Sequence, residues 1–310
     1  MGAGHDHGHS HGHEAGRALD RSRLRLVLVV TAGVAVVELV GAVLSGSLAL
    51  LADAGHMFTD TAAIVLALSA SYVATLPATP RRTFGYHRAE ILAALINAVV
   101  LLGVCGYLAF AGVRRLLDPV SVEAGQMLLF ASVGLVANLV SIALLATRRG
   151  QSLNMRGAFL EVLGDAFGSA AAIVAGLVVL TTGFDRADSI ASLVIAVLIL
   201  PRAWSLLRDC LHVLLESAPA GVDMEVVRQH LVDAEGVTDV HDLHAWSITS
   251  GMPALSAHVT VTEEALETRG VGRILDELGE CVATHFGIDH VTFQVEPESH
   301  QEHEPGAAHP

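Results

Sequence analysis

Apolar residues gather along the first two thirds of the chain in six blocks: Leu24 to Leu44, Leu48 to Leu76, Ala89 to Val113, Met127 to Ala146, Ala158 to Leu180 and Ile190 to Leu207. A helix needs roughly 20 residues to cross the hydrocarbon of a bilayer, so each block predicts a membrane span. The first is too long for the core of a signal peptide, carries Glu38, and is not followed by a small-residue cleavage site. It is read as a retained span. After Leu215 the pattern changes. "VDMEVVRQHLVDAEGV" sets Val222, Val226, Val227 and Leu231 at helical spacing before Gly236, and "VGRILDELGECVATHFG" repeats that period up to Gly287. "VTDVHDLHAWSI" and the alternating "ALSAHVTV" predict strands on either side of the turn "TSGMP", and "DHVTFQVE" predicts a third.

The predicted fold is therefore an all-α six-helix transmembrane bundle followed by a small α+β domain in the order α-β-β-α-β, with two helices on one face of a compact sheet. The expected division is a disordered His-rich tail over 1–20, the bundle over 21–215, the small domain over 216–297, and a disordered tail over 298–310. Composition agrees with a membrane protein: 52% of residues are hydrophobic and only 16% charged, with a mean hydropathy of +0.55. The formal charge of −14 does not describe the bundle, because the acidic residues gather after position 215. Arg17, Arg21, Arg23 and Arg25 precede the first span; Arg81, Arg82 and Arg88 follow the second; Arg148, Arg149 and Arg156 follow the fourth. The positive-inside rule places these three clusters, both termini and the small domain in the cytoplasm. Arg114 and Arg115, after the third span, break the rule. No basic patch accompanies a folded surface, so no nucleic-acid partner is expected. Cys105, Cys210 and Cys281 are far apart and give no disulfide framework. The bias toward Ala, Val, Gly and Arg suggests a GC-rich bacterial genome, and with it the inner (plasma) membrane.

The chemistry lies in "ADAGHMFTDTAA". An ionisable side chain at bilayer depth costs about 2.5 to 3.5 kcal/mol on insertion scales, yet the second block carries three. His56 and Asp60 are i and i+4 and share a helix face, with Asp53 one turn earlier. In the fifth block Glu161 and Asp165 repeat the i, i+4 spacing. If the two faces meet, three carboxylates and an imidazole converge, and such a set requires protons or a divalent cation. One nitrogen and three oxygens suit zinc. The competing reading is that each pair merely bonds to a neighbouring helix, which is also the expectation for Glu38, Asn97 and Asn138. Two other functions stay open: a proton-coupled transporter of another solute that uses the carboxylates as a relay, and an intramembrane metal hydrolase, against which stands the lack of an HExxH motif.

"SLALLADAGHMFTDTAA", "TFGYHRAEILAALINA", "NMRGAFLEVLGDAFGS" and "VHDLHAWSITSGMPALSAHV", in that order, resemble the signature stretches of the cation diffusion facilitator family of zinc transporters. The resemblance runs from Leu24 to Glu296. It implies six spans, a cytoplasmic ferredoxin-like domain, a homodimer in the lipid bilayer, and export of a divalent cation in exchange for protons by alternating access. No enzyme activity and no cofactor are implied beyond transported and bound Zn2+ or another divalent ion. By position, the transport site would be His56, Asp60, Glu161 and Asp165, with Asp53 assisting from behind. Zinc-type members usually carry His where Glu161 stands, and the extra carboxylate hardens the site, easing entry of cadmium, cobalt, iron or manganese. The resemblance also implies a regulatory metal site on the small domain at His241, His258 and Glu296, with His290 as a further candidate and Gln294 where some members have a histidine. The alternative leaves His241, His244 and His258 as ordinary strand residues. His87, in the loop after the second span, is a candidate for a further ion, and "GHDHGHSHGH" for weak capture of zinc.

Overall fold

The computed structural model describes the backbone of residues 10–146 and 153–303. The stretch 1–9, with most of the His-rich run, lies outside the described residues, as do Arg148, Arg149 and the end of the chain from 304. Six helices cover the apolar blocks, the second stopping two residues short of the end of its block: α1 (Ser10–Ser45), α2 (Leu48–Ala74), α3 (Ala89–Leu117), α4 (Ala124–Ala146), α5 (Leu153–Thr182) and α6 (Arg186–Leu214). All six are long and apolar enough to cross a bilayer, and the protein is a multi-pass membrane protein. The other five helices overrun their apolar blocks because a nucleated helix extends at little cost per residue. For the same reason α1 reaches back to Ser10, where the sequence had suggested no regular structure. Ala15, Ala18 and Leu19 are good helix formers.

The chain divides into two compact units, one holding Ile96–Ser205 and the described chain up to Leu66, the other Ala67–Leu95 and the chain from Leu206. In the first, α4 packs against both α1 and α5. Large apolar side chains such as Val43, Phe110 and Val197 are exposed, as suits surfaces that meet hydrocarbon rather than water. The start of α2 is fixed from a distance. Its N-terminal N–H groups have no partner within the helix, and the buried Asp188 carboxylate of α6 accepts from Leu48 N at 2.7 Å, Ala49 N at 3.1 Å and the Ser47 hydroxyl at 2.5 Å. Arg115 stands 3.8 Å from the same carboxylate and donates to the Gly46 carbonyl at 2.6 Å. One of the two arginines that break the positive-inside rule is thus engaged in a structural contact.

In the second unit, α7 (Met224–Val232) is followed by the strands β1 (Val237–Thr249) and β2 (Met252–Val261), the helices α8 (Glu263–Arg269) and α9 (Val271–Phe286), and the strand β3 (His290–Pro297). The sheet order is β1-β2-β3, with β1 and β2 antiparallel and β2 and β3 parallel. Val227 and Leu231 of α7 and Ile274, Leu278 and Val282 of α9 join Val240, Leu255 and Val259 in one core. The expected α-β-β-α-β order holds with one addition. The short α8 starts where the Thr262 side chain accepts from Ala265 N at 3.2 Å, and Gly270 at φ 76° separates it from α9. A 3-10 turn over Glu298–His303 occupies part of the tail for which no structure was expected. It packs against β2 and β3, and Ser299 donates to Glu263 at 3.2 Å.

Candidate metal sites

Helical periodicity puts His56 and Asp60 on one face of α2, and His56 Nε2 lies 3.4 Å from Asp60 Oδ2. From α5, Asp165 Oδ1 approaches the same nitrogen at 3.9 Å. His56, Asp60 and Asp165 are all buried. Glu161, one turn along α5, lies with Asp53 and His56 on the wall of a cavity of about 290 Å3 whose other lining residues include Phe167 and Ile199. The two pairs therefore come together from facing helices.

A fifth residue completes the site. Arg202 of α6 also lines the cavity. Its Nη1 lies 3.5 Å from Asp60 Oδ2 and its Nη2 3.4 Å from Glu161 Oε1. The guanidinium bridges a carboxylate of α2 to one of α5. The sequence reading passed over Arg202, although it stands inside the sixth apolar block, directly after Pro201. The cost of a charge at bilayer depth that singled out His56 applies equally to it.

Asp53 belongs mainly to a neighbouring polar group. The Ser169 hydroxyl of α5 lies 2.9 Å from Asp53 Oδ2 and 3.1 Å from Glu38 Oε1 of α1, and the Asn138 amide of α4 approaches it at 3.4 Å. Four helices are joined there, and the expectation of interhelical hydrogen bonds at Glu38 and Asn138 holds. The close approach needs glycine. A Cβ on Gly134 would overlap Glu38 Oε1, and one on Gly168 would overlap Asp53 Oδ1.

On the sheet, His241 of β1 pairs with His258 of β2, and His258 pairs with Gln294 of β3. Glu296 is two residues further along β3 and, by the period of two, on the same face. Its Oε1 lies 3.0 Å from His258 Nδ1, and the His241 and His258 rings are 5.2 Å apart. One donor atom from each of His241, His258 and Glu296 falls within 4.8 Å of the others, a spacing that small side-chain movements bring to ligand distances near 2 Å. Gln294 donates to Glu296 Oε1 at 2.6 Å, so it orients the carboxylate. His290 is not part of this cluster. It opens β3, six residues and about 20 Å of strand before Glu296, and its ring stands edge-on to Phe84 at 5.6 Å. His87 lies in a larger cavity of about 1080 Å3 in the second unit, beside Arg81, Arg82, Arg88 and His244. Among the described residues it joins no group of three metal-binding side chains.

Comparison with known proteins agrees over nearly the whole chain. The family model described as the cation efflux transmembrane domain matches residues 24–215, and that of the cation efflux protein cytoplasmic domain matches 219–298. The metal cation efflux system protein CzcD of Cupriavidus metallidurans is 41% identical over 296 residues, 96% of this chain and 90% of the relative. A Bacillus subtilis protein described as a cadmium, cobalt and zinc/H(+)-K(+) antiporter is 36% identical over 302 residues, 96% and 93% of the two chains. The Escherichia coli zinc transporter ZitB is 41% identical over 269 residues, 86% and 84%. A solved metal-bound C-terminal domain of the CzcD transporter is 37% identical and covers 24% of this chain and 99% of its own, with a TM-score of 0.22. These relatives are transporters, which sets aside the hydrolase reading. The chain belongs to the cation efflux, or cation diffusion facilitator, family of membrane transporters.

Proposed function

We propose that the protein exports divalent metal cations from the cytoplasm in exchange for protons, with zinc the principal substrate and cadmium and cobalt accepted. His56, Asp60, Glu161 and Asp165 form the transport site. The observation that carries this reading is the meeting of the α2 and α5 pairs beside one cavity that His56 and Glu161 line. Relatives that match almost the full chain are described as zinc or cadmium, cobalt and zinc transporters. An imidazole nitrogen and three carboxylates offer the donors zinc accepts, and the carboxylates harden the site toward other divalent ions.

The coupling follows from competition for lone pairs. With the site open to the cytoplasm, deprotonated ligands take the cation. Open to the other, more acidic side, protons occupy the same lone pairs and the cation leaves. We assign the chain to the inner membrane as a homodimer with both termini cytoplasmic. The His241, His258 and Glu296 cluster is read as a regulatory site for the same metal. The test is zinc uptake by proteoliposomes under an imposed pH gradient. Wild type should accumulate zinc, and His56→Ala and Asp60→Ala should not. Wild-type rates in either variant would refute the assignment, and proton flow without metal flow would favour a relay serving another solute.

A further inference from the structure

Arg202 places a fixed positive charge beside the ligands of a proposed cation site. A divalent ion and a guanidinium compete for the same oxygens, and the guanidinium is bonded where the ion would need them. It reaches Asp60 at 3.5 Å and Glu161 at 3.4 Å. Its planar fork suits two carboxylates at once better than an ammonium does. The Arg202 side chain is 53% exposed, against 32% for Glu161 and 9% for Asp60, so the charge stands at the open side of the cluster. A way out is also present. Pro201 cannot donate a backbone hydrogen bond to the Val197 carbonyl, so α6 is weakened immediately before Arg202.

Resting on the transport-site reading above, we infer that Arg202 is a tethered counter-cation: it bridges Asp60 and Glu161 when the site holds no metal, and it must swing aside for a divalent ion to bind. Two consequences follow. The three carboxylates do not face one another uncompensated in the metal-free carrier, which lowers the electrostatic cost of returning without cargo. The cation must also displace the guanidinium, so its affinity is held down and its release is quickened. Arg202 thereby complements Glu161. The Glu161 carboxylate brings a further negative charge to the cluster, and Arg202 offsets it whenever metal is absent.

The experiment is zinc uptake into proteoliposomes by the full-length protein, with KM and maximal rate measured separately for wild type, Arg202→Gln, Arg202→Lys and Asp60→Ala. Removing a competitor a few ångströms from two ligands should lower the KM of Arg202→Gln by about tenfold or more, with a lower maximal rate because release slows. Arg202→Lys keeps a charge but loses the fork, and its KM should fall in the same direction by a smaller factor. A residue that only braces α6 would lower the maximal rate without lowering KM, so an unchanged or raised KM in Arg202→Gln overturns the inference. If that variant does not reach the membrane, Arg202→Lys decides: a KM equal to that of wild type overturns the inference. Asp60→Ala separates the two levels of the argument. Wild-type transport in that variant refutes the transport site itself, whereas its loss together with an unchanged KM in the Arg202 variants refutes only the counter-cation.

Discussion

The two clusters use the same kinds of donor in opposite ways. On the sheet, His241, His258 and Glu296 come from three neighbouring strands, and backbone hydrogen bonds fix their spacing with donor atoms already within 4.8 Å. In the bundle, His56 and Asp60 come from α2, Glu161 and Asp165 from α5, and the guanidinium of α6 stands among them. Strands joined by a ladder cannot shift relative to one another without breaking several bonds at once. Helices side by side in a membrane are held by packing and a few polar contacts, and can slide or tilt at lower cost. A preformed site suits retention of a metal, and a site that must open and refill suits its passage.

The comparison is broken most sharply by removing one ligand from each side. Asp60→Ala should reduce zinc uptake by about a hundredfold or more, since a lost ligand costs at least what a lost outer partner does. His258→Ala should weaken zinc binding by the sheet cluster about 10–100-fold while zinc transport continues, as measured by calorimetry and uptake on the same preparations. Transport lost in His258→Ala would mean that the sheet cluster is on the path of the ion.

The smallest effect concerns the frame behind the sheet. The Glu277 carboxyl of α9 is held below its ordinary value by a hydrogen bond from Arg269, and secondarily by Arg273 at 3.1 Å. A depressed carboxyl stabilises the fold above its ordinary pH range and ceases to do so as acid protonates it. Glu277→Gln should lower the melting temperature slightly at neutral pH, with the difference from wild type vanishing below the carboxylate range. A difference that persists in acid would mean that Glu277 acts through packing.

The six spans were legible because a helix in hydrocarbon must be apolar over its whole crossing, and His56, Asp60, Glu161 and Asp165 were legible because the same rule makes each of them costly. Spacing alone paired them within a helix. Alternation within strands likewise set His258 and Glu296 on faces that registry could join. The sequence left open which residues from distant elements would meet. Asp53 meets Ser169, which also meets Glu38, because Gly134 and Gly168 open space for carboxylates that no local pattern reveals. His290, named with Glu296 from one strand, is separated from it by strand length.

What the sequence by itself determined was the solvent each segment tolerates, and hence the spans, the small sheet domain and the four ionisable residues of the α2 and α5 pairs. Only the tertiary structure decided how their charges are balanced. Arg202 faces Asp60 and Glu161 from 142 and 41 residues away, and Asp188 caps a helix 140 residues earlier. Such pairings arise from the approach of helices that hydropathy treats as independent, and electrostatic compensation depends on that approach.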